Sequence, residues 1–313
     1  MLRFILHRCL LALVSVWAIA TITFFLAFLA PGDPAQLRYD HNVSPAAMAQ
    51  WRHEHGLDLA PLPRYFRYLG GLMHGDMGRP YYSDAAPPVL QYVMQRFPNT
   101  ALLATVAMCL ALLVGLTVGI AASLRPNTLL DRTLMVLILA GVSIPNFVLA
   151  PVLISVFALK LHMLPVAGWG APDYLVLPAI VLAARPAALI ARMTRSSMLE
   201  IMKQEYIRAA RARGISNARI IFVHALKNAF LPVLTSAGVS FGYLLSGSFV
   251  VETVFHIPGV GEASFASIGQ RDYSLIQGTT VLLATVFVTI NLVIDLLYAF
   301  IDPRIRIGAQ EPA

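Results

Sequence analysis

The sequence predicts an all-α protein of six membrane-spanning helices with a small extracytoplasmic segment between the first two. Three observations carry this. Of 313 residues, 58% are hydrophobic and 12% charged, whereas soluble domains carry about a quarter charged residues. Six stretches reach the ~20 apolar residues that a bilayer crossing needs. The Lys and Arg residues gather between these stretches and not on one basic face, so the net charge of +7 does not read as a nucleic-acid surface.

The first span runs from Cys9 to Ala30 without a charge. It is too long for a signal-peptide core and ends without a small-x-small cleavage site, so it reads as a retained helix. The second is Ala101 to Leu124. The third, Thr133 to Leu159, is long enough to tilt or to hold a kink at Pro145 and Pro151. The fourth, about 174–191, is interrupted by Arg185 and expected to bend at Pro178 and Pro186. The fifth is Ala229 to Val251, with Pro232 near its start. The sixth is about 279–301 and carries Asp295. All of residues 1–313 read as one transmembrane domain, with an outer segment at 31–100 and a basic stretch at 192–228.

With the N-terminus in the cytoplasm, the inner side holds 14 Lys and Arg and the outer side 8. Six of those eight lie in the long first outer segment, which also carries six acids and weighs little in the rule. Both termini are therefore expected on the cytoplasmic side. Cys9 and Cys109 fall in apolar runs and are expected to be buried free thiols. In the outer segment, Ser44-Pro45 predicts an N-cap followed by proline at the first helical position. A second short helix over 62–73 is expected to lie on the membrane surface, with Tyr65, Phe66, Tyr68 and Leu69 as its apolar side.

The stretch from Met193 to Pro232, MTRSSMLEIMKQEYIRAARARGISNARIIFVHALKNAFLP, is the most informative. Glu205 to Arg213 favours helix, Gly214 supplies a left-handed C-cap residue, and Ser216 caps a new helix. Ile215 and Ile220 have the spacing of a hydrophobic staple. The expected object is helix, sharp turn, helix: a rigid elbow that a soluble motor can grip. The plainer reading is that these arginines enforce topology and touch lipid headgroups.

Counted from Gly214, the segment resembles the EAA loop of ABC importer permeases, E-A-A-x3-G-x9-I-x-L-P. Ala209 and Ala210 fall on the paired alanines and Leu226 on the leucine. Arg208, His224 and Lys227 depart at the glutamate, isoleucine and proline. These departures are similar to the dipeptide and oligopeptide permeases, where R-x-A-R-A-K-G and H-A-L-R-N are usual. Pro31-Gly32-Asp33-Pro34 resembles that class's P-G-D-P, and His74-Gly75-Asp76-Met77-Gly78 its H-G-D-x-G. Gly247 to Gly261 resembles G-S-x-x-V-E-x-x-F-x-x-P-G-x-G. Arg271-Asp272-Tyr273, Asn291 to Tyr298 and Asp302 to Arg306 also fit. The matches run in order from residue 1 to about 308, and the long outer segment is similar to the first of the two permeases in such systems.

The resemblance implies the ABC type I importer permease fold and an assembly. A second homologous permease forms a heterodimer with this one, two ATP-binding subunits dock on the elbows, and an extracytoplasmic binding protein delivers cargo. It implies residence in the bacterial cytoplasmic (inner) membrane, with membrane lipids and no nucleic acid as partners. No G-x-x-x-x-G-K-[ST] occurs, so this chain is expected to be no enzyme; ATP and Mg are expected in the partner ATPases. The implied coupling residues are Arg208, Ala209, Ala210, Gly214, Ile215, Ser216, His224 and Leu226. Dipeptides or oligopeptides are the expected cargo; nickel, glutathione, opines and antimicrobial peptides are alternatives within the family.

Asp295 inside the sixth span reads as a pathway carboxylate or proton relay, or as a helix-packing hydrogen bond to a Ser, Thr or Asn. Arg185 meets the carboxylate of a passing peptide, pairs with Asp295, or snorkels inward. Asn146, after Pro145, either presents its amide to cargo or sits in a kink satisfied by neighbours. Glu252, with Pro258 and Gly259 of the same motif, is a candidate outer gate or binding-protein contact; the alternative is a solvated helix end. His53 and His55 are one residue apart, a spacing for a strand and not for the expected helix, so no metal site is expected. Met73, Met77 and Met94 read as packing residues. An ion-driven secondary transporter would explain Asp295 and Arg185 but not the elbow. An intramembrane enzyme lacks its motifs: there is no G-x-S-x-G and no H-E-x-x-H.

Overall fold

The computed structural model describes residues 2–30, 32–35, 39, 44–83 and 85–301. Pro31 of the P-G-D-P motif and the motif at 302–306 lie outside the described residues. Every described regular element is a helix, and two compact units are distinguished, Met1–Thr100 with Ile257–Ala313, and Ala101–His256. Among the described residues, four helices are long and apolar enough to cross a membrane, or six if two bent pairs each count as one span.

In the first unit, α1 (Leu2–Leu29) packs along α13 (Tyr273–Ile301). The outer segment begins with α2 (Pro45–Glu54), started as its sequence demands: the Ser44 hydroxyl accepts the Ala47 N–H at 3.3 Å and Pro45 opens the helix. Next comes α3 (Pro61–Met73), whose apolar side divides. Tyr65 is buried against α1, bonded to Thr21 at 2.8 Å and in ring contact with Phe24 and Phe25. Tyr68 stacks on Phe24, while Phe66 stays 66% exposed. The helix is thus anchored to α1 by its tyrosines, a contact that local periodicity does not reveal.

The fourth helix, α4 (Val89–Leu124), begins twelve residues before the expected span and runs through Pro98. Its polar start belongs to the first unit. There Val89 and Val93 form a buried cluster with Leu275 and with Val260 of α12 (Val260–Gly269). Met77 packs on that cluster, but Met73 and Met94 are exposed, contrary to their reading as packing residues.

In the second unit the expected third span is broken at Pro145, within the Ser143–Phe147 stretch that its sequence marks as a break. Helix α5 (Leu129–Ser143) meets α6 (Asn146–Leu153, continued by a π turn over Ile154–Lys160) at 104°. The cause is local: Ile144, as the residue before proline, is driven to φ −93° and ψ 119°, and Pro145 to φ −61° and ψ 145°. The expected fourth span, by contrast, is one helix, α7 (Asp173–Ile201), that continues through Pro178, Arg185 and Pro186. Both prolines are buried among neighbouring helices, a setting in which prolines are tolerated within membrane helices. Cys109 is exposed and Cys9 half-buried; both thiols are free, but the expected burial is not met.

Helix α7 is the centre of this unit, and α5 and α10 (Leu226–Gly247) pack against it. The second half of α4 approaches it through Gly115 and Gly119. A Cβ at Gly115 would stand 2.8 Å from the Ala187 carbonyl oxygen; one at Gly119 would stand 2.7 Å from that of Ala191. This Gly-x-x-x-Gly spacing lets two backbones touch, which is how helices associate in lipid.

Candidate functional site: elbow, strut and cavity

The elbow follows α7 in three short pieces: α8 (Glu205–Ala212), α9 (Asn217–Arg219) and a π turn over Ile220–Ala225 that leads into α10. Gly214 has φ +75°, the left-handed conformation expected of it. The Gly214 N–H bonds the Arg211 carbonyl at 3.0 Å and the Ile215 N–H bonds the Ala210 carbonyl at 3.2 Å. That pair of bonds is a Schellman closure, which satisfies the last carbonyls of α8. Ser216 occupies the next N-cap position with extended backbone (ψ 143°), but its hydroxyl makes no capping bond. The cap is therefore positional.

The turn is rigid because it is packed. Met198 of α7, Ile207 and Ala210 of α8, Ile220 and Ala225 of the π turn, and Ala229 of α10 form one buried cluster. Ile215 and Leu226 pack on it, so the staple pair Ile215 and Ile220 share one core. Across the elbow, Asn228 donates to the Tyr206 hydroxyl at 2.8 Å. Arg208, Ala209, Gly214 and Ser216 remain exposed, whereas His224 is half-buried with its Nε2 turned inward. Phe222 and Val223 are also exposed, at 60% and 51%, which gives the outer surface of the elbow an apolar patch beside its arginines.

One turn before Met198, Arg195 grips Asp131 at the start of α5 with two bonds of 2.6 and 2.7 Å. Asp131 is buried, and its carboxylate also accepts the Asn127 N–H at 2.9 Å. A fork-to-fork pair of this kind fixes orientation as well as distance. It ties the loop before α5 to the helix that carries the elbow.

Further along α7, Arg185 is exposed although Leu182, Pro186 and Ala187 beside it are buried. It enters a cavity of about 250 Å³ lined by Asn146 and Phe147 of α6, Tyr243 and Leu244 of α10, and Phe249 and Val250. The guanidinium carbon lies 5.7 Å from the centre of the Tyr243 ring. Two of the three expected pathway residues, Asn146 and Arg185, thus share one cavity, and the break at Pro145 forms part of its wall.

Asp295 belongs to the first unit and is held elsewhere. Arg8 donates to it at 2.7 Å in a groove that Ser15 and Asn291 also line. Its partner is neither Arg185 nor a Ser, Thr or Asn hydrogen bond; an opposite charge on α1 neutralises it. Glu252, on α11 (Phe249–Val254), is not a solvated helix end: it is fully buried and accepts the Ser248 hydroxyl at 2.5 Å. A buried carboxylate needs donors, and the hydroxyl one turn earlier is one of them.

Pro258 and Gly259 lie in the first unit, at the start of α12. The Pro258 carbonyl accepts the Asn99 amide at 2.8 Å, and the Val260 N–H meets the Thr100 hydroxyl at 2.9 Å. Nearby, the quoted motifs knit together. Asp272 accepts the N–H groups of Tyr81 (2.5 Å), Tyr82 (3.2 Å) and Leu275 (3.0 Å). Its burial pushes the carboxyl above the ordinary carboxylate range, and these three donors draw it back. The Ser274 hydroxyl donates to the Met77 carbonyl, Asp33 pairs with Arg52, and Gly32 lies so close to Arg271 that a Cβ there would strike the guanidinium. His53 pairs with Asp58 and His55 stacks on Trp51; no metal-holding cluster occurs among the described residues.

Local reading missed Tyr243, the Asp131–Arg195 pair, the Tyr206–Asn228 bond and the capping role of Asp272. One of these had a signal, since Thr128 three residues before Asp131 has the spacing of a helix start; Gly115 with Gly119, likewise missed, marks a close helix crossing.

Comparison with known proteins agrees over the whole length. Residues 111–307 match the family described as binding-protein-dependent transport system inner membrane component, and residues 1–104 match its N-terminal membrane-component family. The oligopeptide transport system permease protein OppB of Escherichia coli (strain K12) is 41% identical over 309 residues, covering 98% of this chain and 100% of that protein. The dipeptide transport system permease protein DppB of the same strain is 38% identical, covering 98% of this chain and 99% of that one. An inward-facing structure of the MetNI methionine ABC transporter superposes with a TM-score of 0.56 over 68% of this chain and 97% of that chain. At 20% identity that likeness is one of fold.

Proposed function

Because this chain belongs to the binding-protein-dependent transport system inner membrane components, with the type I ABC importer permease fold, we propose that it is the first permease of a peptide importer. The family is a membrane component and not itself catalytic. Short peptides, as free di- or oligopeptides, are the cargo; the permeases named above are its relatives at 41% and 38% identity. An extracytoplasmic binding protein delivers the peptide, a second homologous permease completes the pathway, and two partner ATPases bind ATP and Mg. The chain crosses the inner membrane six times, with both termini and the segment 192–228 in the cytoplasm.

The observation that carries this reading is the elbow. A left-handed glycine, a Schellman closure and one buried cluster join α8 to the end of α7 and the start of α10. A push on the exposed face at Arg208, Ala209, Gly214 and Ser216 therefore moves whole helices instead of bending a loop. Ala210, Ile215 and Leu226 transmit it from beneath, and His224 sits on the π turn between the arms. When ATP draws two such elbows together the spans open outward to take the peptide; hydrolysis returns them inward. Asn146 and Arg185 line the path. Asp295 acts as the structural counter-charge of Arg8, not as a relay. Glu252 supports the outer gate from within, and Pro258 and Gly259 shape the loop that leads into α12.

Affinity purification of the tagged chain from its native membrane tests this. A second permease and P-loop ATPases in the eluate are expected. A chain that comes out without them and still moves substrate down an ion gradient in liposomes would overturn the reading.

A further inference from the structure

We propose that the cavity around Arg185 is a subsite for the C-terminal residue of the peptide, with Arg185 binding its free carboxylate. The inference rests on the importer reading and names which end of the cargo this chain holds. A cation in the apolar middle of a helix is costly in a membrane and is retained where it has a counter-charge or a wet cavity. Among the described residues no carboxylate pairs with Arg185; its contact is the face of Tyr243 at 5.7 Å. The fork of the guanidinium is thus left for a ligand, and its planar donors match a carboxylate two-to-two.

The rest of the wall fits the same group. Asn146 opens α6 just past the break, so the start of that helix lines the cavity together with Arg185. Interrupted helices that turn their N-terminal ends toward anionic substrate groups are a recurrent solution in transporters. Phe147, Leu244, Phe249 and Val250 supply apolar surface for a side chain. The volume, about 250 Å³, is below that of a pocket enclosing a whole drug-sized ligand, ~300–1,000 Å³. It suits one terminal residue and leaves the remainder of a peptide in the pathway.

The test uses the complete complex in proteoliposomes, with its binding protein and ATP. Two peptides of one sequence, one a free acid and the other C-terminally amidated, are chosen for equal affinity to the binding protein. In Arg185→Gln, uptake of the free acid is expected to fall about 10- to 100-fold, the range for losing a charge-assisted bond. Uptake of the amide is expected to change little, and Arg185→Lys to restore part of the preference as a point charge. Equal loss for both peptides, with normal assembly, overturns the subsite while leaving the importer reading intact. Loss of the second permease on purification of Arg185→Gln also overturns it, because the counter-charge would then lie on that partner. A wild-type complex that moves neither peptide overturns the peptide reading and the subsite with it.

Discussion

Replacing Gly214 with valine separates backbone conformation from packing at the elbow. Gly214 has φ +75°, and a Cβ built there meets nothing within 4 Å. The Cβ therefore strikes no neighbour, and the cost common to every substitution here is that of holding an L-residue in the left-handed region. That cost is about 1–2 kcal/mol, with β-branched residues at the upper end. Asparagine tolerates the same region and should cost less. If the turn relaxes instead, Ile215 leaves the cluster around Ile220 and the face offered to the motor changes. A penalty of that size lowers the ratio of correctly shaped to relaxed elbows by about 5- to 30-fold, and transport by up to that factor. Membrane insertion needs only the spans and should stay normal. The assay is uptake and ATP hydrolysis per purified complex, for Gly214, Asn, Ala and Val in turn. Coupling should decline in that order. A valine variant that transports as well as the asparagine variant would refute the left-handed elbow as the coupling element.

Other outcomes follow from the same geometry. Arg8→Gln leaves Asp295 without its 2.7 Å partner, at a cost of up to about 2.5–3.5 kcal/mol if the carboxylate stays charged at the bilayer centre and less near its edge. Steady-state protein level should fall, and the double variant Arg8→Gln with Asp295→Asn should recover it; equal levels in the single and double variants would show that the pair does not matter. Gly119→Leu forces a side chain to within 2.6 Å of the Thr194 Cβ and 2.7 Å of the Ala191 carbonyl. Melting in detergent should show a loss of about 1–3 kcal/mol, whereas Gly141→Ala, whose Cβ would meet Ala184 at 3.8 Å, should be nearly neutral. Asp131→Ala removes both bonds from Arg195 and should cost about 1–3 kcal/mol in the same measurement. Asp272→Ala leaves the N–H groups of Tyr81, Tyr82 and Leu275 unanswered, and hydrogen exchange at those amides should accelerate; Asp272→Asn, with a single acceptor oxygen, should keep protection on one side only, at Tyr81 and Tyr82 or at Leu275.

What could be read in advance was local. Ser44-Pro45 announces a helix start through its own hydroxyl and ring, and Gly214 announces a left-handed turn, because both signals lie within a few residues of their effect. Helix α4 was read twelve residues short because Gln91, Arg96, Pro98 and Asn99 break the apolar run; they start a helix that is packed in protein before it becomes apolar. The break at Ile144 was legible in kind, since proline disfavours helix in the residue before it, but its angle of 104° depends on how α5 and α6 pack against α7. The partner of Asp295 lies 287 positions away on α1, where no spacing rule reaches. For Glu252 the sequence leaves an outer gate or binding-protein contact open beside a solvated helix end; its burial, which excludes the solvated end, comes from the packing of α11 against α6 and α7. The shared cavity of Asn146 and Arg185 likewise exists only once α6, α7 and α10 are brought together.

The central claim is that this chain moves cargo through a motor bound at its elbow. It is tested most directly by reconstituting the purified assembly in liposomes and following labelled peptide with and without internal ATP. Uptake that requires ATP and the binding protein, and that falls by about 5- to 30-fold when the Gly214→Val chain replaces the native one, is the predicted result. Uptake that proceeds without ATP, driven by an imposed ion gradient and indifferent to Gly214, would contradict the account.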